Sequence, residues 1–220
     1  MSVAVVLDLD GTLIDSAPDI HAAANAALGA EGVAPLSLDE ARSFVGAGTP
    51  TFVRRAMAAR GIGAARFEPL HSAFLGAYEG AVALTEPYPG AVDALAVLAG
   101  RGHPMGLCTN KPIGPTRTVL EHFRLAHVFG AVMGGDSLAV RKPDPAPLHA
   151  VMEDLGASTC LYVGDSEVDA ETAARAGVPF LLFTEGYRKT PVADLPHAAA
   201  FSHWDALPGL VTRLAGGAAA

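Results

Sequence analysis

The sequence is poor in cysteine and contains no long apolar run. Its 220 residues include two cysteines, Cys108 and Cys160, each at the end of a short apolar stretch. Two thiols in a chain of this length predict small buried side chains in a reducing cytoplasm, not a disulfide framework. The apolar runs are too short to span a bilayer, and no basic segment precedes the run at the N-terminus. The sequence therefore predicts a cytoplasmic protein with neither a membrane span nor a signal peptide.

Positive charge is scarce as well. Fifteen lysines and arginines stand against 23 aspartates and glutamates, which gives a formal net charge of −8. Because binding to a phosphate backbone requires a basic surface, a nucleic-acid partner is not expected. The same balance means that an anionic substrate has to be bound by a locally positive site.

Predicted strands alternate with predicted helices along most of the chain. Val3–Leu9 is apolar enough to be a strand buried on both faces. Alternation at this spacing is typical of an α/β fold with a doubly wound, mostly parallel sheet. Further strands are expected at His103–Thr109, Val128–Met133, Cys160–Gly164, Pro179–Phe183 and, at one edge, Ala199–Trp204. Helices are expected at Ala91–Ala99, Gly114–Phe123, Pro145–Leu155, Val168–Ala176 and Asp205–Leu214, with a disordered tail from Gly216.

The segment after the first strand carries only helix signals. Helix starts are expected at Ser16, Ser37 and Thr49, the first two as capping boxes and the third as an N-cap before proline. Four helices in this segment would form a small cap inserted into the sheet domain. The predicted domains are a Rossmann-like catalytic core of residues 1–15 and 86–220, and a helical cap domain of residues 16–85.

The first predicted strand ends in D-L-D-G-T, with Asp8 and Asp10 two residues apart. Residues at this spacing on a strand point to the same side, so the two carboxylates would repel each other unless a positive group lies between them. A solvated strand end followed by an Asp-Gly turn would also explain the pair. What distinguishes the two interpretations is the rest of that sheet edge.

Other polar residues follow other predicted strands. Thr109 ends the strand in L-C-T-N-K, and Lys142 lies in R-K-P-D before a helix. Asp165 ends the strand in Y-V-G-D-S-E-V-D, four residues before Asp169. Each of these has an ordinary explanation as a helix cap or a surface residue. Because ligands bind beyond the carboxyl ends of parallel strands, we expect the four to form one site with the two aspartates of the first strand.

In this order, D-L-D-G-T, T-N, a lysine followed by proline and G-D-x-x-x-D resemble the motif set of the haloacid-dehalogenase-like hydrolases. The match covers nearly the whole chain, and the helical insert resembles the family's small cap. D-G-T-L-I-D-S-A-P-D-I, V-G-A-G and P-Y-P-G are most similar to the phosphoglycolate phosphatase subgroup. The resemblance implies a Mg²⁺-dependent hydrolase of small phosphorylated metabolites, with 2-phosphoglycolate as the expected substrate. Such an enzyme would act as a monomer or homodimer, without a nucleic-acid or membrane partner.

The resemblance also implies a role for each site residue. Asp8 would form an aspartyl-phosphate, and Asp10 would protonate the leaving group and later activate water. Asp8, the backbone carbonyl of Asp10 and Asp165 would hold Mg²⁺, while Asp169 would orient metal-bound water or Lys142. The remaining expected contacts to the phosphoryl group or the substrate are Thr109, Lys142, Gly11, Thr12, Asn110, Gly46, Gly48 and Thr49.

The sequence excludes some alternative activities and leaves others open. Asp10 argues against a dehalogenase, which lacks this second aspartate. The lysines are Lys111, Lys142 and Lys189, so the predicted cap has none, which excludes a phosphonate hydrolase that uses a cap lysine. A phosphosugar mutase, with His21 as its support, stays open, as do muramic-acid-phosphate, nucleotide and pyrophosphate hydrolases. A phospho-accepting signalling domain carries similar groups, but its accepting aspartate lies mid-chain and it lacks a large helical insert.

Substrate specificity is expected to lie in the predicted cap loop Val45–Thr49, which precedes a helix. Free N–H groups at a helix N-terminus attract anions, and Gly46 and Gly48 allow the backbone to approach a small ligand. We therefore expect this loop to receive the carboxylate of the substrate, with Arg42 or Arg54 adding charge. The alternative is an interhelical loop that uses glycine only for turning.

Overall fold

The structure is a computed structural model, and it describes residues 2–217. Within this range the strands are β1 (Ala4–Leu7), β2 (Ile14–Asp15), β3 (Glu86–Pro87), β4 (Met105–Cys108), β5 (Ala131–Met133), β6 (Cys160–Gly164), β7 (Phe180–Phe183) and β8 (Ala199–Phe201). The helices of the same range are α1 (Ala17–Gly29), α2 (Leu38–Phe44), α3 (Thr49–Ala59), α4 (Phe67–Tyr78), α5 (Ala91–Gly100), α6 (Ile113–His122), α7 (Ala146–Asp154), α8 (Glu167–Ala176) and α9 (Leu207–Gly217). Helix α9 includes the start of the predicted disordered tail, and residues 218–220 of that tail lie outside the described range.

The main sheet has the strand order β5-β4-β1-β6-β7-β8, and neighbouring strands run parallel. Alternate residues of β1 enter different hydrophobic clusters: Val5 and Leu7 on one face, Ala4 and Val6 on the other. Helices α5, α6 and α9 cover the first face, and α7 and α8 cover the second. The predicted doubly wound α/β fold is confirmed. Among residues 2–217, no helix combines the length and the apolarity needed to cross a bilayer.

Helices α1–α4 pack on one another around a separate apolar cluster that includes Ile20, Phe52 and Phe74. The chain leaves the sheet domain through β2 and returns through β3. These two short strands pair antiparallel, with Ile14 opposite Pro87. The helical cap is therefore joined to the core by two segments that lie side by side.

One of the two predicted capping boxes is present. Ser37 Oγ accepts a hydrogen bond from the N–H of Glu40, and Glu40 Oε2 accepts one from the N–H of Ser37. The box predicted at Ser16 is wrong, because Ser16 Oγ donates to Asp10 Oδ1 at 2.6 Å and Asp19 accepts from the returning linker. Ser16 has φ −100° and ψ −1° instead of the extended backbone of a capping serine, so its oxygen does not accept from the first turn, and its hydroxyl forms a charge-assisted hydrogen bond with the carboxylate.

The start of α3 also differs from the prediction. Gly48 is the N-cap, and Thr49 is the first helical residue instead of the cap. The Thr49 hydroxyl lies 3.0 Å from His71 Nε2 of α4, so it links two cap helices. The hydroxyl therefore makes a tertiary contact instead of capping the helix.

Candidate active site

The carboxyl ends of β1, β4 and β6 bring the predicted catalytic side chains together. Asp8 follows β1, Thr109 follows β4 and Asp165 follows β6, and all three side chains are buried. Asp8, Asp10 and Thr109 line a cleft of about 430 Å³ whose opposite wall is formed by the cap. The parallel sheet thus gathers groups that are far apart in the chain, as the edge argument predicts.

Lys142 is a buried cation at the centre of this arrangement. Its Nζ lies 2.9 Å from Asp8 Oδ1, 2.7 Å from Asp169 Oδ1 and 2.9 Å from the Tyr162 hydroxyl. Burial by itself lowers the pKa of Lys142, but the facing carboxylates of Asp169 and Asp8 raise it above its ordinary value. Lys142 therefore carries a permanent positive charge beside Asp8.

Both carboxylate oxygens of Asp169 are occupied by protein donors. Oδ1 accepts from Lys142, and Oδ2 accepts from the hydroxyl of Ser166 at 2.6 Å and from its N–H at 3.1 Å. Burial opposes ionisation, but Lys142 and the hydrogen bonds hold the pKa of Asp169 below its ordinary value. This is the geometry of a residue that keeps Lys142 in place.

Asp8, Asp165 and Asp169 form an acidic cluster that could hold a metal ion. Each offers a carboxylate oxygen, and these atoms lie within 4.8 Å of one another. Burial, together with the charges of Asp169 and Asp8, raises the pKa of Asp165. Burial also raises the pKa of Asp8 to about 7, with Asp169 adding to the rise and Lys142 opposing it. Crowded carboxylate oxygens with raised pKa values are the donor set and the charge environment that suit a hard divalent cation.

Gly11 and Thr12 support Asp165 instead of lining the cleft, contrary to the predicted substrate contacts. Thr12 is fully buried, and its hydroxyl donates to Asp165 Oδ1 at 2.8 Å. Gly11 has φ +85°, and a Cβ there would lie 2.6 Å from Asp165 Oδ2. The glycine is needed because the carboxylate passes directly against the backbone.

Asp10 is held by two donors that the sequence interpretation did not assign to the site. Its Oδ1 accepts from Ser16 Oγ at 2.6 Å and from Lys111 Nζ at 3.1 Å. Lys111 also donates to the hydroxyl of Tyr78, the last residue of α4. The available signal for Lys111 was its place directly after Thr-Asn in L-C-T-N-K. No local pattern marks Tyr78, because only the folded cap brings it to Lys111.

The predicted specificity loop lies at the cleft. Gly46, Gly48 and Thr49 are among its lining residues. Asn110, also at the cleft, donates through Nδ2 to the carbonyl of Gly46 and to that of Lys142, both at 3.0 Å. One core side chain therefore ties the cap loop to the loop that carries the buried lysine.

Three further sequence hypotheses point to side chains that lie elsewhere. Arg42 pairs with Asp15 at 3.0 Å, and Arg54 stacks over Phe67, so the expectation that either adds charge to the cleft is wrong. His21, the support for a mutase, contacts the carbonyl of Leu36 and the side chain of Asn25 within the cap.

The chain is similar to known proteins over nearly its full length. Residues 3–177 match the family model described as haloacid dehalogenase-like hydrolase. A phosphoglycolate phosphatase from Cereibacter sphaeroides is 54% identical over 213 residues, covering 96% of this chain and 98% of the relative. One from Rhodobacter capsulatus is 46% identical over 213 residues, covering 96% and 97%. The crystal structure of a predicted phosphoglycolate phosphatase from Haemophilus somnus superposes with a TM-score of 0.88 at 27% identity, covering 95% of this chain and 97% of that one.

Proposed function

The chain belongs to the haloacid dehalogenase-like hydrolases, and we propose that it is a Mg²⁺-dependent phosphatase that converts 2-phosphoglycolate to glycolate and phosphate. The observation that carries this proposal is the convergence of Asp8, Asp10, Thr109 and Lys142 at one sheet edge beneath a cap. The names of the Cereibacter and Rhodobacter relatives support the substrate.

Asp8 is the proposed nucleophile. It lies at the end of the central strand β1, where a carboxylate oxygen can attack phosphorus and displace the alkoxide, forming an aspartyl-phosphate. Lys142, 2.9 Å from Asp8 Oδ1, supplies positive charge beside the reacting group. Thr109 at the cleft provides a hydroxyl donor for a phosphoryl oxygen.

Asp10 is the proposed general acid and base. In the first step its proton passes to the departing glycolate oxygen, and in the second its carboxylate takes a proton from the water that attacks the aspartyl-phosphate. The second step releases phosphate and restores the Asp8 carboxylate. Ser16 and Lys111 bind one oxygen of Asp10, which orients the carboxyl group for these transfers.

Mg²⁺ fits the acidic cluster. Asp8, Asp165 and the backbone carbonyl of Asp10 would hold it, and the oxygen-only donor set suits this cation. When bound, Mg²⁺ neutralises negative charge on the carboxylates and on the transferring phosphoryl group. Asp169 is proposed to act through Lys142, whose ammonium group its Oδ1 holds at 2.7 Å.

The cap is proposed to select the leaving group. Loop residues Gly46, Gly48 and Thr49 close the cleft over the reacting edge, with backbone N–H groups at the start of α3 available to an anion. The cap wall over the cleft would also limit water access while the leaving group departs. A small carboxylate-bearing alcohol such as glycolate suits this space.

A kcat/KM panel over small phosphomonoesters with Mg²⁺ present tests the proposal. The panel should include 2-phosphoglycolate, a hexose phosphate, a nucleoside monophosphate, pyrophosphate and p-nitrophenyl phosphate. We expect 2-phosphoglycolate to be among the best substrates, and activity to disappear with EDTA. If another ester is preferred by tenfold or more, the substrate assignment is wrong while the phosphatase assignment stands.

A further inference from the structure

Lys111 is a buried lysine at the cleft that the proposed phosphoryl chemistry does not use. It is 4% exposed and is the third residue after β4. Its Nζ donates to Asp10 Oδ1 at 3.1 Å and to the Tyr78 hydroxyl, and it lies 4.2 Å from the centre of the Tyr78 ring. An ammonium group has three N–H donors. Two of them have partners among the described residues.

Lys111 is also the one cation among the described residues that line the 430 Å³ cleft. Lys142, another lysine near the reacting edge, is engaged by Asp8 and Asp169. Arg55 and Lys189 line a neighbouring cavity that shares Asp8 and Asp10 with the cleft. The remaining charges of the cleft wall are the carboxylates of Asp8 and Asp10. A substrate that carries a second anionic group besides the phosphoryl group can therefore pair that group with Lys111 in this wall.

We infer that Lys111 is a specificity-determining residue that binds the carboxylate of the substrate. The inference rests on the proposed function, and it adds the chemical class of ester that the cleft selects. Asp10 has to reach the ester oxygen to protonate it, and Lys111 touches Asp10. In 2-phosphoglycolate one methylene separates that oxygen from the carboxylate. The lysine beside the general acid thus matches a phosphate ester of a 2-hydroxy acid.

The apolar part of the cleft limits the size of that acid. Ile20, Phe52 and Phe74 of the cap face the same space, and Phe52 stacks on Phe74 with ring centroids 5.2 Å apart. Closely packed aromatic rings do not move aside easily to admit extra groups. A methylene or methyl group suits this wall, whereas a longer or hydroxylated chain would leave polar atoms against it.

The proposed carboxylate subsite is formed by residues of both domains, and Tyr78 is the residue that the cap contributes. It belongs to α4 of the cap, and it stacks on Phe74 at 5.2 Å, continuing the aromatic wall. Its hydroxyl and ring hold the ammonium group of Lys111, which comes from the core. The subsite is therefore complete only where the cap packs against the core, as it does in this structure.

The test compares 2-phosphoglycolate with ethyl phosphate, which has a methyl group in place of the carboxylate. The measured quantity is the ratio of the two kcat/KM values in the wild type, Lys111→Met and Tyr78→Phe, with Arg117→Met, which removes an exposed positive charge of α6, as the control. Lys111→Met should lower activity on both esters through the lost Asp10 contact. The ratio itself should fall about 10- to 100-fold, as expected for one charge-assisted hydrogen bond.

Tyr78→Phe keeps the ring and loses the hydroxyl, so the ratio should fall several-fold, and Arg117→Met should leave it unchanged. Glycolate as a competitive inhibitor should lose affinity in Lys111→Met while inorganic phosphate keeps its affinity. If the wild type shows no preference for 2-phosphoglycolate over ethyl phosphate, the proposed function fails. If the wild type has the preference and a folded Lys111→Met retains it, the assignment of Lys111 is overturned. Should Lys111→Met not fold, an unchanged ratio in Tyr78→Phe overturns it equally.

Discussion

The core and the cap present different chemistry to the same cleft. The core contributes ionisable groups and hydroxyls from the segments that follow β1, β4, β5 and β6. Most of them are paired with one another, as Lys142 is with Asp8 and Asp169. The cap contributes aromatic and aliphatic side chains and a glycine-containing loop. The Lys111–Tyr78 contact and the Asn110–Gly46 hydrogen bond cross from one to the other.

This difference suggests that the core determines reactivity and that the cap contributes most of the substrate selectivity. A network of buried charges is costly to rearrange, because removing one partner leaves the other unpaired in a medium of low polarity. An apolar wall and a loop can change size and shape at a smaller cost. We therefore expect substitutions within the paired core network of Asp8, Lys142 and Asp169 to affect every substrate alike. Substitutions in the cap, or at Lys111 where the core contacts Tyr78 of the cap, should discriminate between substrates.

The largest expected effect is that of Asp8→Asn. The change removes the nucleophilic charge without changing side-chain volume, so kcat should fall by roughly 10⁴-fold or more for every ester in the panel. Circular dichroism should show an intact fold. The exposed variant Asp154→Asn is the matched control and should retain wild-type turnover.

A trapped phosphoryl analogue identifies the residue that is attacked. A beryllium or aluminium fluoride complex, followed by crystallography, should show the fluoride group on Asp8. Density on Asp10 would reverse the two roles, and substantial turnover by Asp8→Asn would remove Asp8 from the mechanism.

The second prediction divides metal binding from proton transfer within the core. Asp165→Ala should weaken Mg²⁺ binding by about 10- to 100-fold or more, because it removes a carboxylate ligand. Asp10→Asn should leave Mg²⁺ affinity nearly unchanged, because its expected contact to the metal is a backbone carbonyl. Calorimetric titration measures both affinities independently of turnover. Equal loss of affinity in the two variants would contradict the division.

The third prediction moves to the cap. Gly48 has φ +82° and ψ 164°, a region that is essentially restricted to glycine, and a Cβ there would lie 2.8 Å from Arg141 Nη1. Gly48→Val should therefore displace the loop. We expect kcat/KM for 2-phosphoglycolate to fall at least about tenfold more than that for p-nitrophenyl phosphate, whose leaving group has no carboxylate.

Gly61→Val is the control for this cap experiment. Gly61 also has a positive φ of +66°, but a Cβ there meets nothing within 4 Å, and the residue does not line the cleft. It should cost stability without changing the ratio of the two substrates. A Gly48→Val enzyme that loses both activities equally would show that the loop is not a specificity element.

The smallest expected effect is on the pH dependence of protein stability in the absence of metal. Burial raises the pKa of Asp8 from 3.8 to about 7, so between these pH values the folded protein keeps a proton that the unfolded chain has released. Stability therefore falls as the pH rises through this window. In EDTA, the melting temperature of Asp8→Asn should exceed that of the wild type by a margin that grows from pH 4 to pH 7 and then levels off.

That margin should amount to several degrees, since ~1 kcal/mol corresponds to about 2–4 °C in a chain of this size. Glu79→Gln, which removes an exposed carboxylate of the cap, should follow the wild-type pH profile in parallel. A constant margin from pH 4 to pH 8 would show that the pKa of Asp8 is not raised in the folded protein.

Much of the fold was predictable because its signals are local. The strands at Cys160–Gly164 and Phe180–Phe183 are continuous apolar runs. The Ser37–Glu40 capping box depends on two residues only three positions apart. The capping box expected at Ser16 had the same local signal, and Ser16 is the N-cap of α1, but the box is absent. It failed because Asp10, six residues earlier, competes for the hydroxyl, and only the turn between them brings the two groups within 2.6 Å.

The amino-acid sequence by itself determined the parallel sheet and the set of polar residues at the ends of its strands. Alternating strands and helices imply parallel strands, and the carboxyl ends of parallel strands lie at one edge. Tertiary structure alone decided what each group touches. It turned Thr12 toward Asp165, drew Arg42 to Asp15, and set Lys111 between Asp10 and Tyr78. These contacts join residues up to 153 positions apart. They depend on side-chain directions and on the closure of the cap over the core, which no pattern within a short segment encodes.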